Sequence, residues 1–462
     1  MLRSLLYSLL FIHCMIAFSC KKEKIPTPIV VAPPVVVAPP VVSPDAPFTD
    51  IPNTSDMVMY EINERAFSVS GNFAGILPRL DSIKALGVNT IWLMPIHPIG
   101  KTKTVNSPYC ITNFQEVNAE YGTLDDLKNL VREAHKRKMA VILDWVANHT
   151  SWDCPWLQQN KSWYTQDASG NVINPAGTNW QDVADLNFSN AEMRLEMIKS
   201  LKYWIEKANI DGYRCDAADY VPFDFWKQAI DSLNKIPNRK LIFLAEGSRS
   251  NHFDAGFQMN FSWNFFTKNK NIFRSGHHAE GCYDIHLNEY SSIPVGSHKL
   301  RFTSNHDESA WDNTPLVLFN SIEGSMAAFV ISAYMGGVPL IYNGQEVACP
   351  KKLPFFTKSP IDWTTNSTIF AEYKKIMAFR AVHAALRTGD LESFTDSDIS
   401  VFKRKSANDE VLVLVNTRNE AKDFTIPSTL ENSIWRDGFD NATVNLNKPV
   451  SLKPYEYRVF VK

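Results

Sequence analysis

Between residues 54 and 387 short apolar runs alternate with stretches of helical periodicity, and this alternation limits the fold more than any other feature. The runs are Val58-Met59-Tyr60-Glu61-Ile62, then residues 88–93, 140–143, 212–215, 241–245, 257–261, 301–305 and 337–342. Several are unbroken instead of alternating, as expected for parallel strands buried on both faces. Between them, Leu77, Leu80, Ile83 and Leu86 recur at helical spacing, as do Leu127, Leu130, Val131 and Ala134, and Leu195, Ile198, Leu201 and Ile205. Thr123-Leu124-Asp125-Asp126 has the form of a capping box and opens the second of these helices. Eight strands interleaved with helices predict an α/β protein of the (β/α)8 TIM-barrel type over residues 53–149 and 191–387. An open doubly wound sheet is the rival, but it would want a Gly-rich phosphate loop after an early strand, and none is present.

The flanks read differently. Residues 150–190, after the third strand, form a short inserted domain in which Trp152, Trp156, Trp163, Tyr164 and Trp180 are crowded; most are expected to pack, with one or two facing the cleft. After Gly389 the texture changes to short strands between polar turns, predicting a C-terminal antiparallel β-sandwich domain over 388–462. At the other end, Arg3 precedes an apolar run over residues 5–18 that is too short for a membrane span, so residues 1–20 read as a signal peptide. Ala17-Phe18-Ser19-Cys20 resembles a bacterial lipobox, with a plain secretory signal as the alternative; both readings export the protein. Residues 21–52 then read as a proline-rich linker, because paired prolines such as Pro33-Pro34 and Pro39-Pro40 exclude helix and central strand.

A formal net charge of −2 with no basic block in the folded region argues against a nucleic-acid partner and for an uncharged one. With Cys14 and Cys20 assigned to the leader, Cys110, Cys154, Cys215, Cys282 and Cys349 remain, with no CxxC or Cys/His spacing. That pattern offers neither a metal cluster nor a disulfide framework. Cys215 neighbours Asp216, but its strand phase points it to the other face, into the packing.

Asp144, Asp216, Glu246 and Asp307 each stand at the end of one of the predicted strands. In a barrel the C-terminal strand ends share one rim, where active sites lie. A single acid there is commonly a structural cap, and Arg214 with Asp216 alone would pass for a pair closing a strand end. Four acids in one mouth repel each other, so packing alone would not collect them. Two carboxyl groups roughly 5 Å apart across a glycosidic bond give retaining hydrolysis, one as nucleophile and one as proton donor. Glu246, behind five apolar residues, is the better placed to keep a proton. Asp216, two residues after Arg214, is the better placed to stay ionised.

These residues carry a resemblance. Asp144-Trp145-Val146-Ala147-Asn148-His149, Asp185-Leu186-Asn187, residues 212–216, Ala245-Glu246, Ser304-Asn305-His306-Asp307, and the runs 88–95 and 337–346 are similar, in order, to motifs of the α-amylase family of glycoside hydrolases. The resemblance covers residue 56 to the C-terminus. It implies Asp216 as nucleophile, Glu246 as acid/base and Asp307 as the third acid. It further implies Arg214 as the orienting cation, His149 and His306 as ligands of sugar hydroxyls, and Tyr109 as the aromatic stacked on the sugar. Asp144 would support this network.

Some positions depart from the family pattern. Asp219-Tyr220 stand where starch-cleaving members often have Lys-His, and Asn113-Phe114-Gln115 where many have Asp-Tyr-Tyr. Ala217 is typical of members that cut α-1,4 bonds. Calcium stays open, since Asn148 and Asp185 match positions that ligate it in many relatives and tie the insertion to the barrel in others; the chemistry itself requires no cofactor. The expectation is an exported, lipid-anchored, monomeric retaining hydrolase of α-1,4 bonds in starch, maltodextrin or related α-glucans. Its rivals are an α-glucan transglycosylase, a cyclomaltodextrinase, neopullulanase or α-1,6-glucosidase on the same fold, and a glycan-binding lipoprotein.

Overall fold

The computed structural model describes residues 46–462. The signal segment, the lipobox and most of the proline-rich linker lie outside the described residues. Eight parallel strands close in sequence order into a barrel: β1 (Met59–Ile62), β2 (Thr90–Leu93), β3 (Ala140–Trp145), β4 (Gly212–Cys215), β5 (Ile242–Ala245), β6 (Met259–Phe261), β7 (His298–Arg301) and β8 (Val338–Tyr342). Nearly all of their residues are buried, which is why the strands read as unbroken apolar runs. Gly212 opens β4 at φ 148°, and a Cβ there would stand 1.9 Å from the carbonyl oxygen of Ile242 on β5, so only glycine lets these two strands approach. The helix Leu124–Lys136 begins as predicted, with Thr123 and Asp126 capping each other reciprocally.

One strand differs from expectation. Hydropathy predicts the seventh at 301–305, but it pairs at His298–Arg301, with Leu300 opposite Val338. Phe302 to Asn305 are equally buried, but their backbone has left the ladder. Burial alone does not separate a strand from the packed loop after it. Asp307 therefore sits on an extended rim loop and not directly at a strand end.

The linker also ends earlier than residue 52. Phe48 stacks on His135 with ring centroids 4.3 Å apart, Asn209 donates to the carbonyl of Ala46, and Ile51 is buried. An aromatic and a branched aliphatic side chain are enough to hold this part of the tether on the barrel surface.

The insertion after β3 is framed by a short antiparallel pair, His149–Ser151 with Val183–Asp185. The C-terminal region carries a six-stranded antiparallel sheet, with Asp390–Phe394, Ile399–Ser406, Asp409–Asn416, Tyr457–Val461, Ser433–Asp437 and Thr443–Leu446 in that spatial order, and a second two-stranded sheet, Lys422–Phe424 with Val450–Leu452. Its own core gathers Phe394, Ile399, Leu412, Leu414, Trp435 and Phe460. It is tied to the barrel by Arg404, whose buried guanidinium donates to the carbonyls of Ala385 and Met335 at 3.1 and 2.9 Å. Cys110, Cys154, Cys215, Cys282 and Cys349 are all free thiols.

Candidate active site

The registers of the strands assemble the site. Asp144 on β3 is the cross-strand partner of Arg214 on β4, and side chains two apart on a strand share a face, so Arg214 and Asp216 point the same way. Cys215 turns to the other side and is buried, in keeping with its phase. Arg214 is wholly buried inside the barrel mouth, with Trp92 and Phe261 stacked about its guanidinium at 4.9 and 5.5 Å.

The sequence suggests that Arg214 serves Asp216. It serves three acids. Its Nη1 donates to Asp144 at 2.7 and 2.9 Å and to Asp216 Oδ1 at 3.0 Å, while Nη2 lies 2.9 Å from Glu246 Oε2. One planar fork thus spans both of the carboxylates that the sequence reading pairs as nucleophile and acid/base. Burial pushes the Asp216 carboxyl well above the usual carboxylate range; Arg214 pulls it back, and Glu246, Asp144 and Asp307 push it further up. Burial also raises Glu246, against the pull of Arg214, with Asp307 adding to the rise. Two such carboxyls beside one cation hold a proton where isolated ones would have lost it. The expected contrast between an ionised Asp216 and a protonated Glu246 is therefore not set by Arg214, which touches both.

Asp307 stands on the far side, about a third exposed, with Oδ2 3.3 Å from His306 Nε2. The Tyr109 hydroxyl donates to Asp144 Oδ2 at 3.0 Å and lies 2.8 Å from His306 Nε2, and the two rings stack at 5.4 Å. His149 is buried, its Nδ1 3.3 Å from Asn148 Nδ2 and its ring set edgewise against Trp180. Burial lowers its pKa to about 4, so at neutral pH it is an uncharged ring. Every residue singled out from the sequence, namely Tyr109, His149, Arg214, Asp216, Glu246, His306 and Asp307, thus lies at this mouth, and all but Arg214 line one cleft of about 660 Å³.

The same cleft contains residues that sequence reasoning does not single out. Trp311 is 66% exposed on a π-helical turn four residues after Asp307, edge-on to Phe355 and Phe356, and Phe355 in turn meets Tyr109 and His306. The only sequence signal for Trp311 is its closeness to a motif acid; Phe355 and Phe356 have none. Trp180 also leans on Tyr220, the second residue of the Asp219-Tyr220 pair, with ring centroids 5.5 Å apart. Of the insertion's five aromatics, Trp163 and Tyr164 are buried, Trp156 packs on Phe114 and Trp163, and Trp152 donates to the Gln181 carbonyl beneath the Lys103 ammonium, leaving Trp180 as the one in the cleft lining. Glu61 on β1, buried and bonded to His306, also escapes the sequence reading, although an acid inside an apolar strand is visible there.

Asn148 and Asp185 border a separate cavity of about 430 Å³ that also holds the Arg194–Asp224 ion pair. Calcium takes about six to eight oxygen ligands. Asn148 and Asp185 bring at most three side-chain oxygens and share their cavity with the Arg194 guanidinium, so by themselves they fall short of that number; among the described residues no group of three or more His, Cys, Asp or Glu side chains is arranged to hold a metal ion.

Comparison with known proteins agrees with the geometry. The family model for the alpha-amylase catalytic domain matches residues 48–368. Alpha-amylase 3 of Dictyoglomus thermophilum is 26% identical over 434 residues, covering 78% of this chain and 84% of that one. A cyclomaltodextrin glucanotransferase of Bacillus sp. strain 17-1 is 26% identical over 395 residues, 75% of this chain and 54% of its own. The crystal structure of an alpha-amylase from Lactobacillus plantarum superposes with a TM-score of 0.79 at 26% identity, covering 89% of this chain and 99% of that one.

Proposed function

The chain belongs to the alpha-amylase family of glycoside hydrolases, and from that premise we propose that Asp216 and Glu246 carry out retaining cleavage of α-1,4-glucosidic bonds in starch, maltodextrin or related α-glucans. Glu246 gives its proton to the glycosidic oxygen while Asp216 attacks the anomeric carbon, forming a glycosyl-enzyme ester. Glu246, now ionised, takes a proton from water, which attacks the same carbon, releases the sugar and frees Asp216. Arg214 offsets the charge that moves between the two acids, so neither step leaves an unpaired buried carboxylate. Asp307, His149 and His306 hold the sugar hydroxyls at the cleavage point, and Tyr109 presents its ring to the sugar face. This chemistry uses carboxylates alone and calls on no cofactor.

The observation that carries this reading is the Arg214 fork joining Asp216 to Glu246. Its test is trapping with a fluorinated α-glucosyl fluoride that forms the ester quickly and loses it slowly. The expected result is a peptide mass shift on Asp216. A label elsewhere, or a released sugar of inverted configuration, overturns it. Transglycosylation on the same ester is favoured as a second activity by the Trp180–Tyr220 pair, whose loop neighbours Glu246 through the Ala218 N–H to Glu246 carbonyl bond. That pair offers stacking for an acceptor sugar that competes with water.

Export and anchoring through Cys20 rest on Arg3, the apolar run and the Ala17-Phe18-Ser19-Cys20 sequence. Among the described residues no helix is long and apolar enough to cross a membrane, and the lipid on Cys20 is proposed as the membrane attachment. Mass spectrometry of the mature N-terminus tests this: a diacylated Cys20 supports it, and an unmodified N-terminus overturns it.

A further inference from the structure

We propose that Glu61 is a positioning residue for the reaction: it holds the His306 ring as a doubly protonated donor whose Nε2 hydrogen is aimed at Tyr109 and Asp307. The proposal rests on the reading of the cleft given above and adds a member to it.

The hydrogens around the ring can be counted one by one. Glu61 Oε1 lies 2.5 Å from His306 Nδ1 and 3.4 Å from the His306 backbone nitrogen, and both residues are almost completely buried. Burial raises the Glu61 carboxyl, and His306 and Arg214 pull it back; ionised beside them it only accepts, so Nδ1 carries a hydrogen. At the other end of the ring, Nε2 is 2.8 Å from the Tyr109 hydroxyl and 3.3 Å from Asp307 Oδ2. The Tyr109 hydroxyl has a single hydrogen, and we assign it to the Asp144 carboxylate, whose Oδ2 lies 3.0 Å away and can only accept. Toward His306 that hydroxyl can therefore only accept, as does the Asp307 carboxylate. Nε2 must be a donor as well. A ring that donates from both nitrogens is an imidazolium.

The charges facing the ring are of both signs. Glu61 from β1 and Asp307 from the ring's own loop favour the cation, as does Glu246 just after β5; Arg214 from β4 opposes it, and Asp144 stands beyond Tyr109. Burial by itself would push His306 down, yet Asp307 and Glu61 outweigh it and hold the ring at about 9. Glu61 is the partner that no sugar can reach. It is fully buried, and its second oxygen, Oε2, has no hydrogen-bond partner. An acid kept in the barrel interior with half its acceptors unused is costly unless its charge serves a neighbour. Its register partners, Trp92 and Tyr342, supply no cation, which leaves His306 as its hydrogen-bonded counter-charge.

The test reads the ring directly. In the full-length protein with ¹⁵N-labelled histidine, the His306 signals, assigned by their loss in His306→Asn, should show both ring nitrogens protonated at pH 7.5. A neutral ring carrying one hydrogen overturns the proposal without reference to activity. Glu61→Gln keeps the shape and removes the charge. It should lower the His306 titration midpoint by more than one pH unit and move the alkaline limb of kcat/KM by a similar amount, with less than a tenfold loss at pH 5.5. An unmoved midpoint, or a uniform loss at every pH, overturns it. Because trapping on Asp216 is scored separately, failure of the Glu61 role and failure of the retaining mechanism give different results.

Discussion

The backbone amide of Ala217 donates to Glu246 Oε2 across 2.8 Å, and Ala217 does so from the left-handed region, at φ 44°. An L-residue held there costs about 1–2 kcal/mol, a strain that persists here because Asp216 on one side and Glu246 on the other fix the turn. Ala217→Gly should therefore stabilise the protein by up to about 1 kcal/mol and keep the donor, while Ala217→Val should lose about 2 kcal/mol and activity with it. Urea unfolding with parallel activity assays measures both. Equal stability of the Gly and Val variants would contradict the strained turn.

Arg214 is the single cation among Asp144, Asp216 and Glu246. Arg214→Met should cost about 3–5 kcal/mol, the range for removing one partner of a buried ionic group. Arg214→Lys keeps a charge but not the fork, so it should fold and lose more than tenfold in kcat. A Lys variant with full kcat would mean that charge alone suffices.

Trp311 is a largely exposed indole on the cleft wall beyond Asp307. Its removal should weaken binding of long maltodextrins by roughly 0.5–1.5 kcal/mol, the range for an aromatic contact, read as a rise of about two- to tenfold in KM. Turnover of a short activated maltoside should stay as it was. If both substrates are affected alike, Trp311 supports the fold of the rim and not a remote sugar.

His97, buried under Trp145 and Trp204, is lowered by burial to about 4, partly offset by its bond to the Glu116 carbonyl. Its unfolded value is about 6.5. The unfolded chain thus binds the proton first, so the stability tied to the neutral ring is complete above about pH 6.5 and is lost as pH falls through about 4. In melting experiments, wild type should lose ground to His97→Gln between pH 7 and pH 4.5 and keep a constant offset above pH 7. A constant offset at every pH would place the ring's titration outside this window.

Much of the fold is legible in the sequence because its signals are local. Unbroken apolar runs mark strands covered on both faces, helical spacing marks the crossovers, and Thr123 with Asp126 marks a helix start. The acids stand out because carboxylates after apolar runs are rare without a purpose. The seventh strand lies ahead of its predicted place because hydropathy reports burial, and residues 302–305 are as buried as a strand while their hydrogen bonds go elsewhere.

By itself, then, the order of residues determined the barrel, the antiparallel sheet after it, and which acids follow the apolar runs, since those depend on periodicity and on the residue that closes each run. Only the closed tertiary structure decided how the charges are shared. Arg214 turns out to serve three acids, Glu61 reaches His306 across 245 positions, and Phe355 joins Tyr109 at the cleft. Such pairings are set by distance and direction in a low-dielectric interior, and barrel closure sets both at once, so no window of sequence contains them.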